Sequence, residues 1–259
     1  MRSLWLLGLV AAVAASVAAG VAIGDPAAGG SSQRAAGGRL TVFAAASLTD
    51  ALPATDAHPR YAFAGSDVLA LQIRQGAPAD VFAAASPKYA QQLYRAGLVR
   101  KPIPFATNTL VAIVPSSNPA GIHSVGDLAK PGVKIVVADP SVPVGAYTRT
   151  VLGRLGSSAA VLKNVVSEET DVRSVLAKVA LGEADAGFVY RTDAKTARGK
   201  VKTLAVRASA QPRVVYEVAV VKGSPHLRAA VGYVARLLRP AAQHTLARFG
   251  FGPRPKPSR

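Results

Sequence analysis

The chain has 259 residues, and its 31 lysines and arginines outnumber its 14 aspartates and glutamates, which gives a formal charge of +17. Half of the residues are hydrophobic, which excludes intrinsic disorder over most of the length. The absence of cysteine excludes disulfides, zinc–thiolate sites, thiol catalysis and attachment of a lipid to a lipoprotein cysteine.

The first 38 residues are predicted to direct export. Arg2 precedes an uncharged stretch over 3–24 that is rich in Leu, Val, Ala and Gly, the pattern of a secretion signal. That stretch also approaches the roughly 20 residues of a membrane-spanning helix, so an uncleaved anchor is an alternative. Residues 25–38 have the composition of a flexible linker. We therefore expect the folded part to work outside the cytoplasmic membrane.

From residue 39 onward, apolar runs of strand length alternate with segments of helical period, which predicts an α/β fold with parallel sheets covered on both faces. The predicted strands are 40–46, 61–64, 80–85, 109–115, 133–138, 165–167, 187–190, 201–206 and 214–221. The predicted helices are a short one from Ser47, then 66–76, 87–97, 144–156, 171–181 and a pair within 225–248. Ser47 and Asp50 have the spacing of a capping box for the first of these helices.

The motifs of common enzyme classes are missing. The sequence has no phosphate-binding P-loop, no nucleophile elbow, no HExxH and no GxGxxG after a strand. The four histidines are far apart and are expected on the surface: His58, His123, His226 and His244. An exported serine hydrolase, with His58 as a base for Ser47, is kept as a weaker alternative.

Four strand-to-helix junctions carry a small or polar residue. The first N–H groups of a helix have no intrahelical partner and carry partial positive charge, so such a junction attracts anions. One junction alone means little, because a serine there usually only caps its helix. The four junctions lie at Ser47, at Ser66, at Val144-Gly145 and at Asp171-Val172.

The residues around these junctions form a longer pattern. Residues 41–52 read TVFAAASLTDAL, and residues 72–82 read QIRQGAPADVF. Three further segments follow in order: Asp139-Pro140 with Gly145 and Tyr147, DVR at 171–173, and GFVYRTDA at 187–194. VAVV at 218–221 and RFGF at 248–251 complete the series. Over about residues 39–252 this series resembles the molybdate-binding proteins of ABC importers.

The resemblance implies a two-lobed periplasmic binding protein fold of type II, with a hinge of two crossover strands near 108–115 and 214–221. Lobe one would then comprise 39–112 with 217–259, and lobe two 113–216. The implied function is capture of molybdate or tungstate between the lobes and delivery to an ABC permease. Sulfate, phosphate or thiosulfate as the ligand is an alternative. We expect a monomer without a cofactor, and no nucleic-acid partner because the positive residues are scattered.

The same resemblance implies an oxyanion shell of uncharged donors. Ser47 and Ser66 would each contribute a backbone N–H and a hydroxyl. Val144 and Val172 would contribute backbone N–H groups, and Tyr190 its hydroxyl. Molybdenum would have no direct protein ligand, since molybdate would be held through these donors.

Two departures from the family pattern bear on this shell. The segment between Ser47 and Phe63 is shorter than usual, and its two prolines interrupt the helix, so we expect Ser47 to be held less rigidly. Asp67 stands where the family commonly has Ser or Gly. Its carboxylate would repel an anion, so we expect it to point outward or to cap its helix.

Overall fold

The computed structural model describes residues 38–255. The predicted secretion signal over 1–24 lies outside this range, as do residues 25–37 of the predicted linker over 25–38 and residues 256–259. None of the helices within 38–255 has the length and hydrophobicity needed to cross a membrane.

The described residues form two five-stranded sheets, called sheet one and sheet two. Sheet one contains β1 (Thr41–Ala45), β2 (Arg60–Ala64), β3 (Val81–Ala84), β4 (Ile103–Asn108) and β10 (Val214–Val220). Sheet two contains β5 (Leu110–Pro115), β6 (Ile135–Ala138), β7 (Val165–Glu169), β8 (Ala186–Tyr190) and β9 (Val201–Ala205). The strand orders are β2-β1-β3-β10-β4 and β7-β6-β8-β5-β9. The predicted α/β class is confirmed, and the two separate sheets are consistent with the two-lobed fold that the resemblance implies.

Helices connect the strands and cover the sheets. They are α1 (Ala51–Thr55), α2 (Ser66–Arg74), α3 (Pro87–Arg95), α4 (Pro143–Arg154), α5 (Ser158–Leu162), α6 (Val172–Ala180), α7 (Arg191–Thr196), α8 (Leu227–Leu237) and α9 (Pro240–Phe249). Helix α8 packs against β10 and α9 packs against α1, so the C-terminal pair belongs with sheet one. Gly250, with φ of 99°, adopts the left-handed conformation that ends α9.

The prediction of parallel sheets is wrong for two strands. β1 pairs with β2 and β3 in parallel, and β6 pairs with β7 and β8 in parallel. β5 and β10, however, are antiparallel to both of their neighbours. The chain passes from sheet one to sheet two through Thr109, and returns over 206–213. In each sheet the neighbouring strands end at the side that faces the other sheet. A strand that has just crossed begins at that side, so it runs antiparallel to its neighbours.

Strand β4 was not predicted from the sequence. Pro102 and Pro104 interrupt its apolar pattern, and proline is disfavoured in a central strand because it cannot donate to the ladder. β4 is an edge strand of sheet one. Its pairing with β10 is irregular at Tyr216 and Glu217, opposite Pro104. An edge position with a local irregularity tolerates the prolines.

Candidate functional site

A small cavity lies where the carboxyl ends of strands from the two sheets meet. Its volume is about 10 Å³, far below the roughly 300–1,000 Å³ of pockets for drug-sized molecules. The cavity therefore excludes organic molecules of that size. All five residues of the predicted oxyanion shell line it: Ser47, Ser66, Val144, Val172 and Tyr190.

The topology explains why distant segments converge here. β1 and β2 are parallel neighbours, so the residues that follow them, Ser47 and Ser66, emerge at the same edge of sheet one. β6, β7 and β8 are likewise parallel, and the segments at their ends supply the other three lining residues. In open α/β sheets, ligands bind outside the carboxyl ends of the strands.

Ser47 is held differently from the prediction. It lies within a 3₁₀ turn over Ala46–Leu48, and its hydroxyl lies 2.9 Å from the hydroxyl of Tyr216. The predicted capping box is wrong, because α1 begins only at Ala51 and the Asp50 carboxylate pairs with Arg173. The short first helix therefore does not leave Ser47 unsupported, since strand β10 holds the side chain through Tyr216.

Ser66 and the two valines present the starts of three helices to the cavity. The Ser66 hydroxyl accepts a hydrogen bond from the Ala85 N–H at 3.1 Å, so its own hydrogen can be donated elsewhere. Val144 is the second residue of α4, directly after Pro143. Val172 is the first residue of α6. N–H groups at these positions have no intrahelical acceptor.

The N-cap of α6 is Asp171, whose carboxylate accepts hydrogen bonds from the backbone N–H groups of Arg173 and Ser174 at 2.7 and 3.1 Å. This cap engages the second and third N–H groups of the helix. The N–H of Val172 is left for the cavity, although a carboxylate lies beside it.

Tyr190 supplies a buried hydroxyl. The side chain is 1% exposed, and its oxygen has no hydrogen-bond partner among the described residues. Burial raises the pKa of Tyr190 well above its usual value, and the neighbouring Tyr216, Tyr147 and Asp193 raise it further, so the phenol keeps its proton. Leaving a buried polar group unpaired costs about 1–3 kcal/mol, which a ligand in the cavity would offset.

Uncharged groups dominate this cavity. Among residues 38–255, no lysine or arginine lines it, and its one carboxylate, Asp171, is engaged at the N-terminus of α6. The nearby Arg173 pairs with Asp50 from the other sheet and lies 3.3 Å from the buried Asp193. Burial raises the pKa of Asp193 to about 7, an effect that Arg173 opposes. The cavity can therefore bind a ligand through hydrogen bonds donated by backbone amides and hydroxyls.

Asp67 contacts the opposite side of the interface between the sheets. Its Oδ2 lies 3.0 Å from the hydroxyl of Ser141, and it makes no capping hydrogen bond in α2. The other carboxylate oxygen is buried without a partner in the described part of the chain. Of the two alternatives expected for Asp67, capping of the helix is wrong, whereas the carboxylate does lie outside the cavity lining and faces Ser141 across the interface.

Ser47 and His58 do not form the nucleophile–base pair of a serine hydrolase. The His58 ring lies 2.9 Å from Asp56, and its side chain is 97% exposed. Ser47 is buried and engaged with Tyr216. Within 38–255 there is also no cluster of His, Cys, Asp and Glu suited to a metal ion.

A larger groove on sheet two is a solvated basic surface. Arg191, Lys195, Arg198 and Lys202 line it, and all four side chains are exposed. These residues account for part of the excess positive charge, and we assign no ligand to them.

Comparison with known proteins agrees with the geometry. Residues 40–252 match the bacterial extracellular solute-binding protein family. The molybdate-binding protein ModA of Mycobacterium tuberculosis is 39% identical over 82% of this chain and 84% of that protein. The molybdate-binding protein ModA of Haemophilus influenzae is 38% identical over 84% of this chain and 91% of that protein. The periplasmic molybdate-binding protein of Azotobacter vinelandii shares the fold, with a TM-score of 0.72 at 22% identity over 82% and 98% of the two chains.

Proposed function

Because the chain belongs to the bacterial extracellular solute-binding protein family, we propose that it captures molybdate or tungstate between sheets one and two and delivers it to an ABC permease. One observation carries this proposal. The unpaired hydroxyl of Tyr190 shares a small cavity with two serines and two helix starts, and within the described residues no cationic side chain lines it.

Seven donors would surround the anion. Ser47 and Ser66 each provide an N–H and a hydroxyl, Val144 and Val172 each an N–H, and Tyr190 a hydroxyl. Hydrogen bonds to a charged group contribute about 1.5–3 kcal/mol each, so seven give roughly 10–20 kcal/mol before the cost of dehydration. Micromolar affinity needs only about 8 kcal/mol net. Neutral donors also avoid an ion pair that would slow release to the permease.

Selectivity would arise from protonation and size. All seven groups would donate to the anion, and the one carboxylate of the lining, Asp171, already accepts hydrogen bonds from Arg173 and Ser174, so hydrogen phosphate would compete with these for an acceptor for its own O–H. Sulfate carries no proton but is smaller than molybdate, so it would leave donors out of hydrogen-bond range. Molybdate and tungstate are close in size and charge, and both fit the proposal.

We propose that lobe one is formed by 39–112 and 217–259 and lobe two by 113–216, so that each boundary lies within the strand that follows a crossing between the sheets. Side-chain contacts join the proposed lobes beside the cavity, among them Arg173 with Asp50 and Ser141 with Asp67. We propose that these contacts form when the lobes close around the ligand, and that the protein acts as an exported monomer.

The proposal is tested by titration calorimetry of the purified protein with molybdate, tungstate, sulfate and phosphate. We expect one site per chain, with molybdate and tungstate binding most tightly and phosphate least. Molybdate should also raise the melting temperature, because it binds only the folded state. If none of the four anions bound, the proposal would be contradicted. Tighter binding of sulfate than of molybdate would reassign the ligand.

Replacing Asp67 by asparagine should increase the affinity for molybdate about threefold to tenfold. Asparagine can still contact Ser141 but removes a negative charge one residue from Ser66. Repulsion between two unit charges about 4 Å apart amounts to about 1 kcal/mol with the dielectric constant of water, which corresponds to a change in affinity of this size. Titration calorimetry at low and high salt checks this, and the gain should shrink at high salt. Asp127→Asn is the matched control, since Asp127 pairs with Lys130 outside the cavity lining. Unchanged or weaker binding by Asp67→Asn would show that the charge does not limit affinity.

A further inference from the structure

A tyrosine outside the cavity holds the Ser47 hydroxyl. Tyr216 lies on β10, the strand on which the chain returns to sheet one, and its side chain is fully buried. Its hydroxyl lies 2.9 Å from the Ser47 hydroxyl, but Tyr216 is not among the residues that line the cavity. Tyr216 can therefore act on a ligand only through the lining residues that it contacts, and Ser47 is the one whose hydroxyl it engages.

The orientation of a second buried residue, Asn108, is determined by its neighbours. The backbone N–H of Thr109 donates to Asn108 Oδ1 at 2.9 Å, which identifies that atom as the acceptor end of the amide. The Nδ2 group then donates to Thr192 Oγ1 at 2.9 Å and to Tyr216 Oη at 3.3 Å. Both amide hydrogens are used, and the face toward Tyr216 can only donate.

This orientation determines where the hydroxyl hydrogens lie. Tyr216 accepts from Asn108, so its own hydrogen must go to another acceptor, and Ser47 Oγ is the acceptor within reach. If Ser47 donated to Tyr216 instead, the phenol hydrogen would have no acceptor among the described residues. Burial raises the pKa of Tyr216 well above its usual value, so the phenol retains this hydrogen. Ser47 therefore accepts from Tyr216 and directs its own hydrogen elsewhere.

Aromatic side chains keep Tyr216 in place. Tyr190, Phe251 and Phe105 contact its ring edge-on, with ring centroids 5.8, 5.3 and 6.0 Å away. Edge-to-face pairs at these distances are favourable, and three of them around one ring oppose its rotation. The phenol hydroxyl is thereby held at a constant position relative to Ser47.

We propose that Tyr216 and Asn108 are positioning residues that direct the hydrogen of the Ser47 hydroxyl toward the bound oxyanion. The proposal rests on the function proposed above and adds one origin of its selectivity. Ser66 has the same arrangement, with the Ala85 N–H in the place of Tyr216. With the hydrogens of both serines directed at the ligand, the cavity favours fully deprotonated oxyanions over those that carry a proton.

Tyr216→Phe tests the proposal. Without the phenol, Ser47 is free to donate or to accept, and we expect the affinity for molybdate to fall about tenfold, the equivalent of one typical hydrogen bond. The affinity for hydrogen phosphate should fall less or rise, so the ratio of the two dissociation constants narrows. A change of packing alone would weaken both anions equally. Titration calorimetry with molybdate and with phosphate measures the ratio.

Tyr233→Phe is the matched control. Tyr233 is also buried, and its hydroxyl lies 3.4 Å from that of Tyr61, away from the cavity lining. We expect it to change the melting temperature to a similar extent without changing either affinity. An unchanged phosphate-to-molybdate ratio in Tyr216→Phe would overturn the proposal.

A double-mutant cycle with Ser47→Ala locates the effect. If Tyr216 acts through Ser47, then Tyr216→Phe should cost little more affinity once Ser47 is alanine. Equal losses of affinity in the wild-type and Ser47→Ala backgrounds would refute the proposal that Tyr216 acts through Ser47. Should Tyr216→Phe not fold, Asn108→Ala enters the same cycle, with the same expected direction and the same refuting outcome. A wild-type protein that binds no oxyanion would instead refute the proposed function, so the two failures are distinguishable.

Discussion

Gly145→Ala is expected to abolish detectable molybdate binding and to destabilise the protein by about 3 kcal/mol. A Cβ atom at Gly145 would lie 2.1 Å from the carbonyl oxygen of Asp139 and 2.3 Å from that of Ala138. These are backbone atoms at the end of β6 and cannot rotate away. The first turn of α4 would have to move, and with it the N–H of Val144. Calorimetric titration and thermal unfolding measure the two effects.

Gly153→Ala, on the same helix, is the control. A Cβ atom there would meet its nearest neighbour, the Ser158 hydroxyl, at 3.9 Å, which is ordinary contact. Alanine in a helix interior is favoured over glycine by about 0.5–1 kcal/mol, so this variant should be slightly more stable and should bind normally. If Gly145→Ala behaved in the same way, close packing of α4 on β6 would not be needed to place Val144.

Tyr190→Phe should weaken molybdate binding about tenfold to a hundredfold while leaving the ligand-free protein as stable as wild type or about 1 kcal/mol more stable. The hydroxyl has no partner in the described structure, so removing it costs the free protein no hydrogen bond. In the complex, the same hydroxyl would donate to a charged oxygen, a bond worth about 1.5–3 kcal/mol. A hydroxyl whose removal lowers the affinity for molybdate but does not lower the stability of the free protein serves to bind the ligand.

The comparison variant is again Tyr233→Phe, because the hydroxyl of Tyr233 has a partner in the free protein. That variant should lose some stability and keep its affinity, the reverse of Tyr190→Phe. Urea unfolding without ligand and titration with molybdate give both quantities. If Tyr190→Phe bound molybdate as tightly as wild type, the buried phenol would have to be assigned a purely structural role.

Most of the elements follow from the sequence because their signals are local. The short apolar run within 80–85 predicts a strand, found as Val81–Ala84, and Ser86-Pro87 predicts the start of α3, where the Ser86 hydroxyl accepts from the Lys88 N–H. The strand-to-helix junctions were visible for the same reason. The ordered motifs around them indicated which junctions would form one site, and the structure places Ser47, Ser66, Val144, Val172 and Tyr190 around one cavity.

Strand direction and the support of the site depended on the tertiary structure. The antiparallel β5 and β10 follow from the geometry of crossing between two sheets, which no local pattern encodes. The capping box predicted for Ser47 failed because α1 begins only at Ala51 and Asp50 pairs with Arg173, while the Ser47 hydroxyl is engaged by Tyr216, 169 positions away in the chain. For Asp67 the decisive contact is Ser141, 74 positions away and on the other side of the interface.

The amino-acid sequence by itself determined the alternation of elements, the family and five of the residues that line the cavity, since these depend on neighbours within a few positions or on ordered motifs. Only the tertiary structure decided which hydroxyls are paired, which one is left without a partner, and how Asn108 orients Tyr216. Hydrogen bonds have a short range and a strict geometry, so their partners are known only when the folded backbone brings distant segments to within about 3 Å.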